Sequence, residues 1–273
     1  MTLVATVQRH RLVSFFALAY AFTWVALFWD SFFAPGALVA ALVVVSITEG
    51  RVGLRDLGAR VVRWRVAPIC YVAALGVPLT IHVVAVTTNV ALGADAATVA
   101  DQLMPWYSIP LAIAVSMVNP TGGALSEEPS FRGYAVPWLQ TRRTPLRSAT
   151  VLALAVTGWH APLFVVDAFD LHPVHVATTM AVTFWYVWLF DHAAGSALIT
   201  LIAHAAEGSV DVESLFHAGA DATRQDYLYA ATWVTCVVVL VLVDRSFWTR
   251  PASSEATHPP PPPFTAVSPG ARN

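Results

Sequence analysis

Two adjacent carboxylates, Glu127 and Glu128, are followed by the guanidinium of Arg132 in a chain that is otherwise apolar. Glu128 and Arg132 are four residues apart, so on a helix they lie on one face and can pair. Pro129 favours a helix that starts there, with Glu127 near its positive end. If Glu128 neutralises Arg132, Glu127 is free to act as a general base. The same residues also fit an Arg–Glu clamp at a helix end, with a solvated second glutamate.

Two histidines lie in other apolar stretches. His160 follows Trp159 and precedes Pro162, and His204 lies in a later run. A single histidine in such a place can be a hydrogen-bonded core residue. Three separate segments that each bring a titratable group to membrane depth instead favour one shared polar site.

A carboxylate and two imidazoles have the chemistry to activate water and to stabilise an oxyanion, as peptide hydrolysis without a covalent intermediate requires. They also match a zinc site with two histidines and one carboxylate. The chain has no His-Glu-x-x-His motif, no Gly-x-Ser-x-Gly motif and no pair of membrane aspartates. A transporter that uses the same groups as a proton relay is a third possibility.

The composition identifies the environment of these groups. Of 273 residues, 57% are apolar and only 12% are charged, and the mean hydropathy is +0.62. This predicts an all-α polytopic membrane protein, with Cys70 and Cys236 as packing residues. No Gly-rich phosphate loop or basic aromatic patch indicates nucleic acid as a partner.

Eight apolar segments are long enough, or nearly so, to cross a bilayer as helices around a polar cavity. The fourth and seventh segments are short, and short intramembrane helices usually end against a cavity. The segments are Leu12 to Trp29, Phe32 to Ile47, Ala67 to Leu92, Tyr107 to Val118, Ala149 to Phe169, Val176 to Phe190, Ala197 to Val210 and Tyr227 to Val243.

The basic residues are all arginines, and every one except Arg224 falls on the same side of this eight-helix arrangement. The positive-inside rule therefore predicts a multi-pass protein of the cell membrane with both termini cytoplasmic, and a cavity that opens to the cytoplasm. Residues 1–245 form the predicted helical domain, and 246–273 a disordered, Pro-rich cytoplasmic tail. The loops on the opposite side carry acidic residues, namely Asp30, Asp95, Asp101, Asp167, Asp170, Asp211, Glu213, Asp221 and Asp226.

Over about residues 12 to 210 the chain resembles the CPBP intramembrane proteases, also called the Abi or CAAX protease-related family. Glu127-Glu128-x-x-x-Arg132 is similar to the first motif of that family, Trp159-His160-Ala161-Pro162-Leu163-Phe164 to the second, and His204 to the histidine of the third. Further similarity lies in Phe33-Ala34-Pro35, Glu49-Gly50-Arg51, the arginine-rich loop that ends in Arg63-Trp64-Arg65, and Arg132-Gly133-Tyr134.

The resemblance implies an endopeptidase that acts on a peptide or a membrane protein. Glu127 and His160 would activate the water, His204 would help to hold the oxyanion, and Glu128 and Arg132 would support them. Whether the family works as metal-free glutamic peptidases or as metalloproteases is disputed. We expect no cofactor, with Zn²⁺ held by Glu127, His160 and His204 as the alternative.

Two positions depart from the family motifs. Val156 stands where the second motif has Phe, and Gly208 stands where the third motif has Asn. Gly208 has no side chain to donate a hydrogen bond, and the loss of one oxyanion donor typically costs about 10²- to 10³-fold in rate. Glu207 and Asp211 are poor replacements unless they are protonated. The alternative function is therefore a weak or inactive member that binds peptides or partners, as in bacteriocin self-immunity.

His82 also lies deep in an apolar run, and we expect it to be a hydrogen-bonded core residue. The remaining histidines lie at helix ends or in loops and receive no role; these are His172, His175, His192 and His217.

Overall fold

The structure, a computed structural model, describes residues 3–97, 105–166, 169, 171–210, 215–216 and 219–252. Within these ranges the chain is helical, and one isolated antiparallel bridge joins Ala96 to Phe216. The α-helices are α1 Leu3–Arg9, α2 Arg11–Trp24, α3 Pro35–Thr48, α4 Gly50–Val61, α5 Pro68–Ala91, α6 Ile109–Val118, α7 Gly123–Glu127, α8 Val136–Gln140, α9 Pro145–Trp159, α10 Ala161–Val165, α11 His175–His192, α12 Ala197–Glu207, α13 Ala220–Val243 and α14 Arg245–Thr249.

All eight predicted apolar segments coincide with helices. Four helical stretches are long and apolar enough to cross a membrane, and α3 and α12 are shorter apolar helices. The four are Arg11–Trp29, Pro68–Ala91, Trp106–Gln140 and Ala220–Val243. The protein is thus an all-α polytopic membrane protein, as the composition predicts.

Two boundaries differ from the prediction. The arginine-rich loop between the second and third segments is largely a helix, α4, which buries Gly53 and Leu57 and leaves Arg51 and Arg55 exposed. At the other end, α14 begins at Arg245 and buries Phe247 and Trp248, so residues 246–249 belong to the helical body and not to the tail. Residues 253–273 of the predicted tail lie outside the described residues.

The helix α12 lies at the centre of the fold, because it packs against α5, α6, α7, α11 and the helical turns that follow Glu127. On one side is a core of α2, α3 and α9. There α2 and α3 approach so closely that a Cβ at Gly36 would lie 2.6 Å from the Thr23 backbone nitrogen. On the other side is a core of α5, α11 and α13.

Ser196 fixes the start of α12. Its Oγ accepts a hydrogen bond from the Ile199 backbone N–H at 3.3 Å, which is the bond of a helix N-cap. The same hydroxyl donates to the Arg63 carbonyl at 2.6 Å. One buried serine therefore caps α12 and ties it to the segment that follows α4.

We expect Ser196→Ala to lower the free energy of unfolding by about 1 to 2 kcal/mol, because it removes a buried cap and leaves a backbone N–H and a carbonyl unpaired. Thermal unfolding in detergent measures this. Ser46→Ala is the control, since the hydroxyl of Ser46 is exposed and bonds only its own helix at Leu42. Equal midpoints for the two variants would contradict the role of Ser196.

Candidate active site

The two glutamates lie on a helix that starts earlier than the sequence predicts. α7 begins at Gly123 and continues into a π-helix over Glu128–Ala135 and then into α8, so Pro129 is an interior residue and not the first helical one. A proline inside a helix removes a hydrogen-bond donor, and a π-helical turn accommodates this. Glu127 therefore lies inside the helix, not at its positive end as expected.

The buried Glu128 carboxylate binds two cationic or potentially cationic groups, those of Arg132 and His204, and these three residues are called the bracket below. Its Oε1 lies 3.0 Å from Arg132 Nη1 and 2.9 Å from His204 Nδ1, and the side chain has no solvent exposure. The pairing of Glu128 with Arg132 predicted from their spacing is confirmed. The additional bond to His204 joins the π-helix to α12.

Glu127 faces His160. The Glu127 Oε1 lies 3.8 Å from His160 Nε2, which is too far for a direct hydrogen bond. His160 Nδ1 lies 2.9 Å from the Val156 carbonyl oxygen. A carbonyl can only accept, so Nδ1 carries the hydrogen and Nε2 presents a lone pair in the neutral ring. Two acceptors thus face each other at a spacing that one water molecule can bridge.

The predicted position of His160 within a continuous helix is wrong. α9 ends at Trp159 and α10 begins at Ala161, so His160 lies at the junction. Trp159 fixes this junction, because its indole N–H donates to Thr23 Oγ1 at 3.0 Å. The His160 ring stacks on Phe32 at a centroid distance of 5.8 Å. The imidazole is therefore oriented by packing on one face and by Val156 on its edge.

His204 approaches the same place from α12. A Cβ at Gly123 would lie 2.7 Å from Glu127 Oε1 and 3.4 Å from His204 Nε2. Glu127 and His204 therefore both lie next to Gly123, and a side chain at that position would displace Glu127. The structure brings together all three residues that the sequence proposed, Glu127, His160 and His204, from three separate helical segments.

Tyr186 is a fourth polar group that sequence reasoning missed. Its ring contacts the Arg132 guanidinium, 4.6 Å from the ring centroid, and the His204 ring, whose centroid is 5.6 Å away. Its hydroxyl is buried and has no hydrogen-bond partner. Nothing in the sequence separates Tyr186 from the aromatic residues around it in α11. Gly208 ends α12 and supplies no side-chain donor.

These groups line a central cavity of about 250 Å³, whose lining includes Glu127, His160, Tyr186 and His204. A second, side cavity of about 600 Å³ adjoins it, and Leu171, His175 and Glu207 line both. Asn119, which follows α6, and Glu207, which ends α12, line the side cavity. The short fourth and seventh segments therefore end against a cavity, as predicted.

The cavities differ in their position along α12. Ser196 at the start of α12 bonds to Arg63, whereas Glu207 at its end lines both cavities. With 11 residues, α12 separates these two ends by about 16 Å. The side cavity thus lies toward the end of α12 that is away from Arg63, while the central cavity also reaches Arg132, Tyr186 and His204.

The three residues of the predicted zinc alternative are not arranged as a metal site in this structure. Among the described residues, no group of three His, Cys, Asp or Glu side chains is arranged to hold a metal ion. Glu127 and His160 face each other, and the bond of His204 Nδ1 to Glu128 leaves His204 Nε2 on the side of Glu127.

His82 is confirmed as a hydrogen-bonded core residue. Its Nε2 lies 2.9 Å from the Glu207 carbonyl, and its ring stacks on Tyr229 at 4.6 Å. His175 received no role from the sequence, yet it lines both cavities. Asp211 and His217 lie outside the described residues.

We expect Arg132→Met to destabilise the protein by about 3 to 5 kcal/mol, because it leaves the buried Glu128 carboxylate without its guanidinium. The double variant Arg132→Met/Glu128→Gln should unfold at a higher temperature than Arg132→Met, since the leftover charge is removed. Thermal unfolding of the single and double variants in detergent measures this coupling. If the two substitutions changed the free energy of unfolding additively, Glu128 and Arg132 would not be coupled, which would contradict their pairing in the bracket.

Residues 105–209 match the family model described as Type II CAAX prenyl endopeptidase Rce1-like. The matched region contains Glu127, Glu128, Arg132, His160, Tyr186 and His204. A search of curated proteins found no match. The match confirms the resemblance to CAAX protease-related proteins inferred from the motifs, and residues 105–209 are similar to the Rce1-like prenyl endopeptidases.

Proposed function

We propose that the protein is an intramembrane endopeptidase that hydrolyses a peptide bond with a water activated by Glu127 and His160. The observation that carries this proposal is the pair of acceptors 3.8 Å apart, Glu127 Oε1 and His160 Nε2, inside a cavity of the helical bundle. The match to an endopeptidase family supports the same reaction class.

The two acceptors, Glu127 Oε1 and His160 Nε2, orient the water molecule. A water between them donates one hydrogen to Glu127 and the other to His160 Nε2, so an oxygen lone pair is left for the substrate carbonyl. As the new C–O bond forms, Glu127 takes one proton from the water. The protonated carboxyl then gives this proton to the leaving nitrogen as the C–N bond breaks. No covalent intermediate with the protein is needed.

The oxyanion needs donors, and the family asparagine is replaced by Gly208. We assign this role to His204 Nε2, in the protonated ring, and to the Tyr186 hydroxyl. Glu128 holds Nδ1 of His204 at 2.9 Å, which directs Nε2 to the side of Glu127. Tyr186 has an unpaired hydroxyl in the same cavity, and the contacts of its ring with Arg132 and His204 keep it in place.

The arginine distribution supports insertion in the cell membrane with both termini cytoplasmic. Glu207 lines both cavities and lies at the end of α12 away from Arg63, so we propose that a peptide or membrane-protein substrate reaches Glu127 from the non-cytoplasmic face or laterally from the bilayer. The prenylated substrates in the family description belong to that family.

A second function, binding without catalysis, is favoured by one observation, the absence of a side chain at Gly208. A binding protein of this kind would act in self-protection against a peptide. Its cellular phenotype would persist in Glu127→Gln, whereas loss of the phenotype in that variant would exclude it.

We expect Glu127→Gln to lower the rate of peptide cleavage by at least about 10³-fold, because the amide cannot take the proton of the water. The purified, full-length protein in nanodiscs is assayed with a quenched fluorescent peptide library. Glu49→Gln is the control, since Glu49 pairs with Arg11 away from the cavities. Cleavage at the wild-type rate by Glu127→Gln would refute the mechanism.

We expect Tyr186→Phe to lower kcat by about 10²-fold with little change in KM, because only the oxyanion donor is lost while the ring packing stays. Tyr134→Phe is the matched control, since it also removes a buried hydroxyl without a partner, but outside the cavities. Adding Gly208→Asn should restore part of the rate. A Cβ there would lie 3.6 Å from the nearest atom, an ordinary contact. Equal kcat values for the two Phe variants would contradict the assignment.

A further inference from the structure

The side cavity is larger than the central cavity. It lies among α5, α6, α13 and the end of α12, and has a volume of about 600 Å³. Besides apolar residues, its lining includes His82, Asn119, Glu207, Gln225 and Tyr229. Because Glu207 lines both cavities, a chain lying in the central cavity can extend a side group directly into this space.

Gln225 is the group in this cavity whose hydrogen bonding is most incomplete. Its side chain is 1% exposed, and neither Oε1 nor Nε2 has a hydrogen-bond partner. His82 Nδ1 also lacks a partner, and because Nε2 of the same ring donates to the Glu207 carbonyl, Nδ1 is an acceptor. Unsatisfied buried groups of this kind are destabilising unless a ligand or water meets them.

The charge in the cavity is negative. Glu207 accepts a hydrogen bond from the Tyr229 hydroxyl at 2.5 Å, and no cationic group of the described residues lies within salt-bridge distance of its carboxylate. Asp226 also lines the cavity and is paired with His175 at 3.4 Å. The chain has no lysine, and in sequence the loops at this end of the bundle are acidic. A carboxylate and further acceptors without a cation suit a group with several N–H donors.

We propose that the side cavity is a specificity subsite for a basic side chain of the peptide substrate, an arginine in the first instance. The Glu207 carboxylate neutralises the guanidinium, and the Gln225 amide, which has no partner within the protein, turns toward it to accept a further hydrogen. The subsite rests on the proposed endopeptidase function, and it narrows the substrate class to cationic peptides or to membrane proteins with a basic residue beside the cleaved bond.

Binding tests the subsite independently of cleavage. The probes are two acetylated, fluorescently labelled pentapeptides with four alanines and a central arginine or citrulline, because citrulline keeps the shape and loses the charge. The protein is the full-length Glu127→Gln variant in nanodiscs, so that no probe is consumed. We expect the arginine peptide to bind at least about 10-fold more tightly than the citrulline peptide.

Glu207→Gln, added to the same protein, should abolish this preference and leave binding of the citrulline peptide unchanged. The glutamine keeps an acceptor for the Tyr229 hydroxyl, so the fold is retained. Glu49→Gln, a carboxylate outside the cavity, should keep the preference. The subsite proposal would be overturned if the protein with Glu207 intact bound the arginine and citrulline peptides equally. It would also be overturned if Glu207→Gln kept the full preference for the arginine peptide.

Cleavage separates the failure of this proposal from that of the proposed function. If the wild-type protein cleaves the arginine and citrulline peptides at equal rates, only the subsite proposal is wrong. If Glu127→Gln cleaves as well as wild type, the proposed function is wrong, and the binding measurement still decides whether the cavity takes a basic group.

Discussion

The arrangement of the site depends on one buried carboxylate, that of Glu128. It is fully enclosed and binds both Arg132 on its own helix and His204 on α12. A charge in such surroundings persists only when it is paired and hydrogen-bonded, so the bracket fixes the distance between the two helices. Glu127, the next residue, is then directed into the cavity toward His160. Removing the bracket would disturb every other group of the site, because α12 is also the central helix of the fold.

Much of this arrangement was predictable from the sequence. The eight apolar segments, the pairing of Glu128 with Arg132 and the convergence of Glu127, His160 and His204 follow from hydropathy, a four-residue spacing and the cost of charges in lipid. The bond between Glu128 and His204 was not predictable, because it joins residues 76 positions apart. Gly123 and Tyr186 were also missed, since a glycine pair and an aromatic run have many ordinary explanations.

The local errors have a common physical cause. A proline often occupies the first turn of a helix. Pro129 instead lies inside a helix, where a π-helical turn accommodates its missing N–H. His160 was placed within a helix because the apolar run continues past it, yet α9 ends at Trp159 and α10 begins at Ala161. Tertiary packing decided both, since the Trp159 indole bonds to Thr23 and the His160 ring stacks on Phe32.

The most direct test of the account is an experimental structure at a resolution that shows ordered water, with anomalous diffraction measured at the zinc edge. The account predicts one water within hydrogen-bond distance of both Glu127 Oε1 and His160 Nε2, and no anomalous peak between them. A peak at about 2.0 to 2.2 Å from Glu127, His160 and His204 would mean that a zinc ion activates the water, and would contradict the metal-free mechanism.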